Sequence, residues 1–199
     1  KSFLKNKNIL ITGPTKGIGK SLAYALSEFG ANIILLGRNE KKLELIYDEI
    51  KKNYNCNPLI VACDLEKLNE SSSREIFESL SVEIKNLDYL IINAAIIGKM
   101  SKIIDYDYST WKKVINTNLN SSFLLTKHMQ PLLEGSNDPR IIYTTSGVAS
   151  EAEAYWGAYA VSKAGTEIMA KIFADEMENI SKIKVFNFNP GPTNTSMRS

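Results

Sequence analysis

Cysteine is nearly absent from this sequence: 199 residues hold only Cys56 and Cys63. Two thiols in a chain of this length make no disulfide framework, so a reducing cytoplasm is the expected setting. Neither has the companions a metal site needs, and Cys63, closing an apolar run, reads as a small buried hydrophobe. Long apolar runs are missing too. Nothing approaches the ~20 residues of a membrane span, and the stretch from Lys1 to Asn8 lacks the apolar centre of a secretory signal. Neither sign of charge dominates: 24 basic against 22 acidic side chains leave a net +2, which gives no basis for a nucleic-acid or anionic-membrane partner. Repeats, low-complexity tracts and linkers are also lacking. What is present is an ordinary globular composition, 44% hydrophobic and 23% charged, long enough for one substantial core. Ile, Lys and Asn are abundant, which reads as compositional drift, so scattered lysines carry no weight.

Strand and helix patterns alternate. Short apolar runs at Asn8–Thr12, Asn32–Leu36, Leu59–Cys63, Asp88–Ile92, Arg140–Thr145 and Ile183–Phe188 read as six strands. Between them lie helical spacings. Ile18, Leu22, Leu26 and Phe29 mark the first helix, stopped by Gly30. Asn39 caps a helix running toward Lys52. A polar opening at Leu68–Ser73 leads through Phe77, Leu80 and Ile84, a long helix spans about Ser109 to Leu133, and another follows Gly157. This βαβ series predicts one α/β domain over residues 1–199, a doubly wound, mostly parallel, Rossmann-type sheet with helices on both faces. In such folds ligands lie across the carboxyl ends of the strands, so residues just after each strand are the functional candidates.

After the first strand come Gly13, Thr15, Lys16, Gly17, Ile18 and Gly19. Glycines there let the backbone approach a pyrophosphate seated on the helix N-terminus, although the spacing G-x-x-x-G-x-G also suits a plain βα turn. After the second come Gly37 and Arg38, where folds preferring the unphosphorylated dinucleotide place an acid. Arg38 and Lys16 are candidates to hold a 2′-phosphate, or are simply a solvated pair. Glu40, the nearby acid, is expected to point outward from the first helical turn. Asp64 and Leu65 follow the third strand; the carboxylate either accepts from an adenine amino group or caps a turn. Asn93, Ala94 and Ala95 follow the fourth, leaving room for a ribose. Ser146 follows the fifth, and Pro190, Gly191, Thr193 and Thr195 the sixth. In the long helix Asn118 puts an amide on a stripe with Trp111, Ile115 and Leu125. It is either a satisfied core asparagine or a functional group.

Tyr159 and Lys163 are four apart on the helix that follows Gly157, so they share a face. An ammonium beside a phenol lowers a pKa that is ~10 when unperturbed, making the tyrosine a proton exchanger near neutral pH. Taken alone, Y-x-x-x-K is common surface decoration. Two helices raise a different expectation. Leu119, Phe123, Leu124 and Leu125 make the middle of the long helix apolar nearly all round, and Met169 and Phe173 extend this to its neighbour. A helix apolar on two sides needs two partners.

Together, T-G-x-x-x-G-I-G at Thr12–Gly19, D-L at Asp64–Leu65, N-A-A at Asn93–Ala95, Asn118, Ser146, Y-x-x-x-K at Tyr159–Lys163 and P-G-x-x-x-T at Pro190–Thr195 resemble the short-chain dehydrogenases/reductases over nearly the whole chain. Three phrases, Ile34–Asn39, Trp156–Lys163 and Asn189–Arg198, carry a narrower likeness to one bacterial group. The resemblance implies an NADP(H)-dependent oxidoreductase acting on a small carbonyl or alcohol. It implies a tetrad of Asn118, Ser146, Tyr159 and Lys163, with Tyr159 as acid/base and Ser146 on the carbonyl oxygen. Lys163 would tune the tyrosine and hold the nicotinamide ribose, Asn118 would hold a relay water, and Thr193 and Thr195 would place the carboxamide. It further implies a homodimer or homotetramer, and a substrate segment and seventh strand lying beyond this chain. Ala95 departs from the family's usual glycine by one methyl, expected to be tolerated. Two other readings stand beside this one: a non-catalytic nucleotide-binding regulator on the same fold, and an epimerase or dehydratase, which usually needs a larger substrate domain.

Overall fold

The computed structural model describes residues 3–191 and 193. Along them run β1 (Asn8–Thr12), α1 (Gly17–Glu28), β2 (Asn32–Gly37), α2 (Glu40–Asn53), β3 (Leu59–Ala62), α3 (Glu70–Glu83) and β4 (Tyr89–Ile92). Then come α4 (Tyr108–Ile115), α5 (Ser121–Glu134), β5 (Arg140–Thr144), α6 (Gly157–Met177) and β6 (Lys184–Phe188). All pairings are parallel, in the order β3-β2-β1-β4-β5-β6. That order reverses direction between β1 and β4, the switch point of a doubly wound sheet.

The sequence forms this sheet because β1 and β2 are apolar at nearly every position and are covered on both faces. Ile9, Ile11, Ile33 and Leu35 face one side and pack with Ala23, Leu43 and Ile46 of α1 and α2. Leu10, Ile34 and Leu36 face the other, against Leu80, Leu125 and Met129 of α3 and α5, with Ala170 and Met177 of α6. Two residues open their helices as expected of caps. Asn39 Oδ1 accepts from the Lys42 N–H at 3.0 Å, and Asn69 and Ser72 form a reciprocal capping box. No helix is long and apolar enough to cross a membrane among the described residues.

Two differences from the expected elements have physical causes. Asp88 precedes β4 rather than opening it. Its buried carboxylate accepts from Lys7 Nζ at 2.8 Å, the Asn8 N–H at 2.9 Å and Ser136 Oγ at 2.6 Å, fastening the strand ends opposite the switch point. The helix expected over Ser109–Leu133 is not uniform. Between α4 and α5 it makes one π-helical turn, Asn116–Asn120, in which the Ser121 N–H reaches back to the Asn116 carbonyl. Such a turn re-aims side chains without breaking the helix, and it falls on Asn118.

Candidate active site

At the switch point the buried Thr12 hydroxyl accepts from the Asn93 and Ala94 N–H groups, both at 2.9 Å, while Asn93 Nδ2 donates to the Thr12 carbonyl at 3.1 Å. Beyond this junction β1 and β4 lead to opposite faces, and a cleft of about 730 Å³ opens across the carboxyl ends of the strands. Gly13, Thr15, Lys16, Gly17 and Ile18 line it, as do Gly37, Arg38, Asp64 and Leu65. So do Asn93, Ala94, Ala95, Ser146, Tyr159 and Lys163, with Pro190, Gly191 and Thr193 at the end after β6. Gly19 and Asn118 do not line it, and Thr195 lies outside the described residues.

The glycine-rich turn is built for close approach. Gly13 has φ +67° with Ala94 atoms 3.1 Å from where a Cβ would stand. A Cβ on Gly19 would fall 2.3 Å from the Gly13 carbonyl oxygen and 2.7 Å from Asn93 Nδ2, so Gly19 acts by letting α1 pack under the turn. The first turn of α1 has no side-chain cap and no acid, which leaves its N–H groups to an anion. Arg38 and Lys16 both line the cleft, and so do Asn39 and Lys42, neither of which stood among the expected binding residues. Lys42 was legible as the residue four beyond Arg38 on a helix start. Glu40, exposed in the first turn of α2, stays out of the cleft. Asp64 caps a turn, its Oδ1 accepting from the Glu66 N–H at 3.2 Å, and the residue also borders the cleft.

Tyr159 and Lys163 share a face of α6 as their spacing requires, with Nζ 5.9 Å from the ring centroid. The expected tuning is not what the geometry gives. Lys163 is 4% exposed and donates to the Thr144 carbonyl at 2.7 Å. Burial pulls its pKa down to about 8. Burial also pushes the Tyr159 phenol up, and the Ser146 hydroxyl beside it works the other way. Desolvation therefore outweighs the Ser146 hydroxyl's pull on the phenol.

Asn118 has the contacts of a satisfied core amide. Its Oδ1 accepts from the Ile96 N–H, and its Nδ2 donates to the Ile96 carbonyl and to Ser162 Oγ, each at 2.9 Å. Ser162 Oγ in turn donates to the Tyr159 carbonyl at 2.7 Å. One amide thus clamps the segment after β4 to the turn of α6 that carries Tyr159 and Lys163. Its own carbonyl accepts from Ser122 Oγ at 2.6 Å and Thr166 Oγ1 at 3.3 Å. No cluster of His, Cys, Asp and Glu suited to a metal occurs among the described residues.

The glycine turn and the Ser146, Tyr159 and Lys163 side chains thus border one cleft at the switch point of a Rossmann-type sheet. The family model for short chain dehydrogenase matches residues 7–199, and the chain belongs to that family. The chain is 34% identical over 197 residues to the uncharacterized oxidoreductase YciK of Escherichia coli (strain K12), covering 99% of this chain and 77% of YciK. A short chain dehydrogenase from Pseudomonas syringae superposes with a TM-score of 0.96 at 38% identity, over 99% of this chain and 80% of that one. A short chain dehydrogenase from Escherichia coli CFT073, complexed with NADPH, superposes at 0.95 with 35% identity, over 100% of this chain and 82% of that one. The narrower likeness in the three sequence phrases is to the YciK group.

The Lys163 environment makes a testable statement about stability. Between its folded pKa of about 8 and its ordinary 10.5, the unfolded chain binds more protons than the folded one. The cost of burying the ammonium is therefore fully present below pH 8 and fades as pH rises toward 10.5. Lys163→Met should stabilise the ligand-free protein at pH 7 by about 1–3 kcal/mol, less the lost bond to Thr144. Urea denaturation of both proteins across this range should show the gap closing as pH rises. A variant less stable than wild type at pH 7 would refute the buried, uncompensated cation.

Proposed function

We propose that this protein is an NADP(H)-dependent oxidoreductase that interconverts an alcohol and a carbonyl compound, with Tyr159 as the acid/base. The observation that carries it is the convergence, in one cleft, of the glycine turn, the Arg38 cation and the Ser146–Tyr159–Lys163 group. The bound nicotinamide supplies or accepts the hydride. The cradle fits that cofactor, since the Gly13 turn allows backbone approach and the α1 N-terminus faces the pyrophosphate's place. Tyr159 donates its phenolic proton to the carbonyl oxygen in reduction and takes it back in oxidation. Ser146 hydrogen-bonds the same oxygen as charge develops there. Lys163, turned from the Thr144 carbonyl toward a ribose and the phenol, stabilises the phenolate left behind. Asn118 positions Tyr159 through Ser162, and because both its amide hydrogens are engaged, a relay water on its side chain must donate to Oδ1. Thr193 and Thr195 place the carboxamide.

The regulator alternative is weakened by Lys163, since a buried cation with no carboxylate partner destabilises a protein that has no proton to move. The direct experiment is Tyr159→Phe, assayed by NADPH oxidation against aldehydes, ketones and quinones. Turnover should vanish while NADPH affinity stays within a few-fold, because only the transferable proton and little volume are lost. Wild-type turnover in the variant would defeat the mechanism.

Cofactor choice rests on Arg38 and Lys16 with Gly37, and no acid, closing β2, and the NADPH complex of the Escherichia coli CFT073 relative supports it. A charge-assisted contact from Arg38 to the 2′-phosphate is worth roughly 1.5–3 kcal/mol, or about 10- to 150-fold over a hydroxyl. Calorimetry should find NADP bound more tightly than NAD, with Arg38→Ala erasing most of the difference and sparing NAD.

The same reading makes the protein a homodimer or homotetramer of the cytoplasm, with no nucleic-acid or membrane partner. Phe123 of α5 and Val161, Ile168 and Ile172 of α6 are half-exposed on two helices whose other faces are in the core, and both cysteines are free. Light scattering at micromolar concentration should give at least a dimer; a stable monomer would exclude this assembly.

A further inference from the structure

Charge is uneven along the cleft, with cations in excess over the single carboxylate of Asp64 at one end and carboxylates alone on the rim at the other. Lys16, Arg38 and Lys42 border it beside β1 and β2. At the other end, between β5 and α6, it is bordered by Glu151 and Glu153. This second half holds Tyr159, and Ile96, Ile97, Val148 and Trp156, whose ring centroid lies 5.7 Å from that of Tyr159, give it apolar wall. Glu151 and Glu153 are exposed, and neither forms an ion pair among the described residues.

The backbone holds this acidic segment against the cleft. The Glu151 N–H donates to the Gly147 carbonyl at 3.1 Å, and the Trp156 N–H to the Glu153 carbonyl at 3.4 Å. Tyr155 sits at φ +74°, a conformation a tyrosine rarely adopts, and its carbonyl accepts from the Ser101 N–H at 3.1 Å. The strain is borne where the segment must turn to bring Trp156 over Tyr159.

We propose that the carbonyl-binding half of the cleft takes a hydrophobic aldehyde or ketone that is neutral or positively charged, and discriminates against anionic ones through Glu151 and Glu153. The inference rests on the carbonyl-oxidoreductase reading above. An anion bound at Tyr159 meets two like charges, and the cations at the far end are too distant to offset them. Sheet order puts β2 three strands from β5, on the order of 14 Å at ~4.8 Å per strand, beyond a Debye length of about 8 Å at physiological salt. Lys99 and Lys102, on the loop whose Ser101 holds Tyr155, do not border the cleft. Lys163 does, but it is buried and engaged with the Thr144 carbonyl. Two carboxylates at a wet rim predict roughly tenfold weaker binding of an anion than of its neutral isostere at low salt.

The test uses aldehydes that form a dead-end complex with the NADP⁺-loaded protein, so binding is read without turnover. The probes are 4-formylbenzoate, its methyl ester and (4-formylphenyl)trimethylammonium, titrated calorimetrically. The expected order is cation at least as tight as ester, and ester about tenfold tighter than the carboxylate, with the spread shrinking in high salt. In an E151Q/E153Q double variant the three affinities should converge, with NADP⁺ binding reporting that the fold is intact. Equal affinity for all three in the wild type, a carboxylate that binds best, a spread unchanged by the double substitution, or no binding of any probe would each overturn the proposal. The proton-transfer reading fails by a different result, turnover in Tyr159→Phe, so the two are separable.

Discussion

The Thr12 hydroxyl is fully buried at the end of β1 and holds the switch point together. It takes two N–H groups from the start of the segment after β4, and Asn93 returns a bond to the Thr12 carbonyl. The two central strands are thereby pinned side by side at the place where their connections leave for opposite faces of the sheet. The cleft is the space that divergence leaves, and every cofactor-facing turn borders it. The packing of Gly19 under Asn93 depends on the same junction, because the Asn93 amide lies against Gly19 only while it reaches Thr12.

The Tyr159 end of the cleft is organised by a second clamp, the Asn118 amide. It binds both polar groups of the Ile96 backbone and, through Ser162, the carbonyl of Tyr159. The π turn aims this side chain inward from a helix that otherwise packs α3 and the core. Lys163 is left with a backbone carbonyl as its partner in a desolvated place, so its burial opposes folding at neutral pH.

Polarity along the cleft follows from chain topology. Lys16 and Arg38 come from the turns after β1 and β2, on one side of the switch point, with Asp64 after β3 on the same side; Glu151 and Glu153 come from the loop between β5 and α6, on the other. The excess of cations at one end and the carboxylates at the other are separated by the width of the intervening strands.

Most of the fold was legible because its signals are local. The apolar runs of β1 and β2, the helical stripe from Ile18 to Phe29, the Gly30 stop and the Asn39 cap each depend on neighbours within a turn or a strand. The alternation of strands and helices, with turn residues after each strand, then dictates a parallel sheet and places the candidate residues at one edge. Spacing also set Tyr159 over Lys163. It did not supply their burial, because Lys163 is enclosed only once α6 packs on the sheet and its ammonium meets the Thr144 carbonyl of β5. The partners of Asn118 and Asp88 come from separate segments. Such pairings are chosen by packing after the sheet has formed. Periodicity determines which face a side chain takes on its own element; only the tertiary structure determines what it meets there.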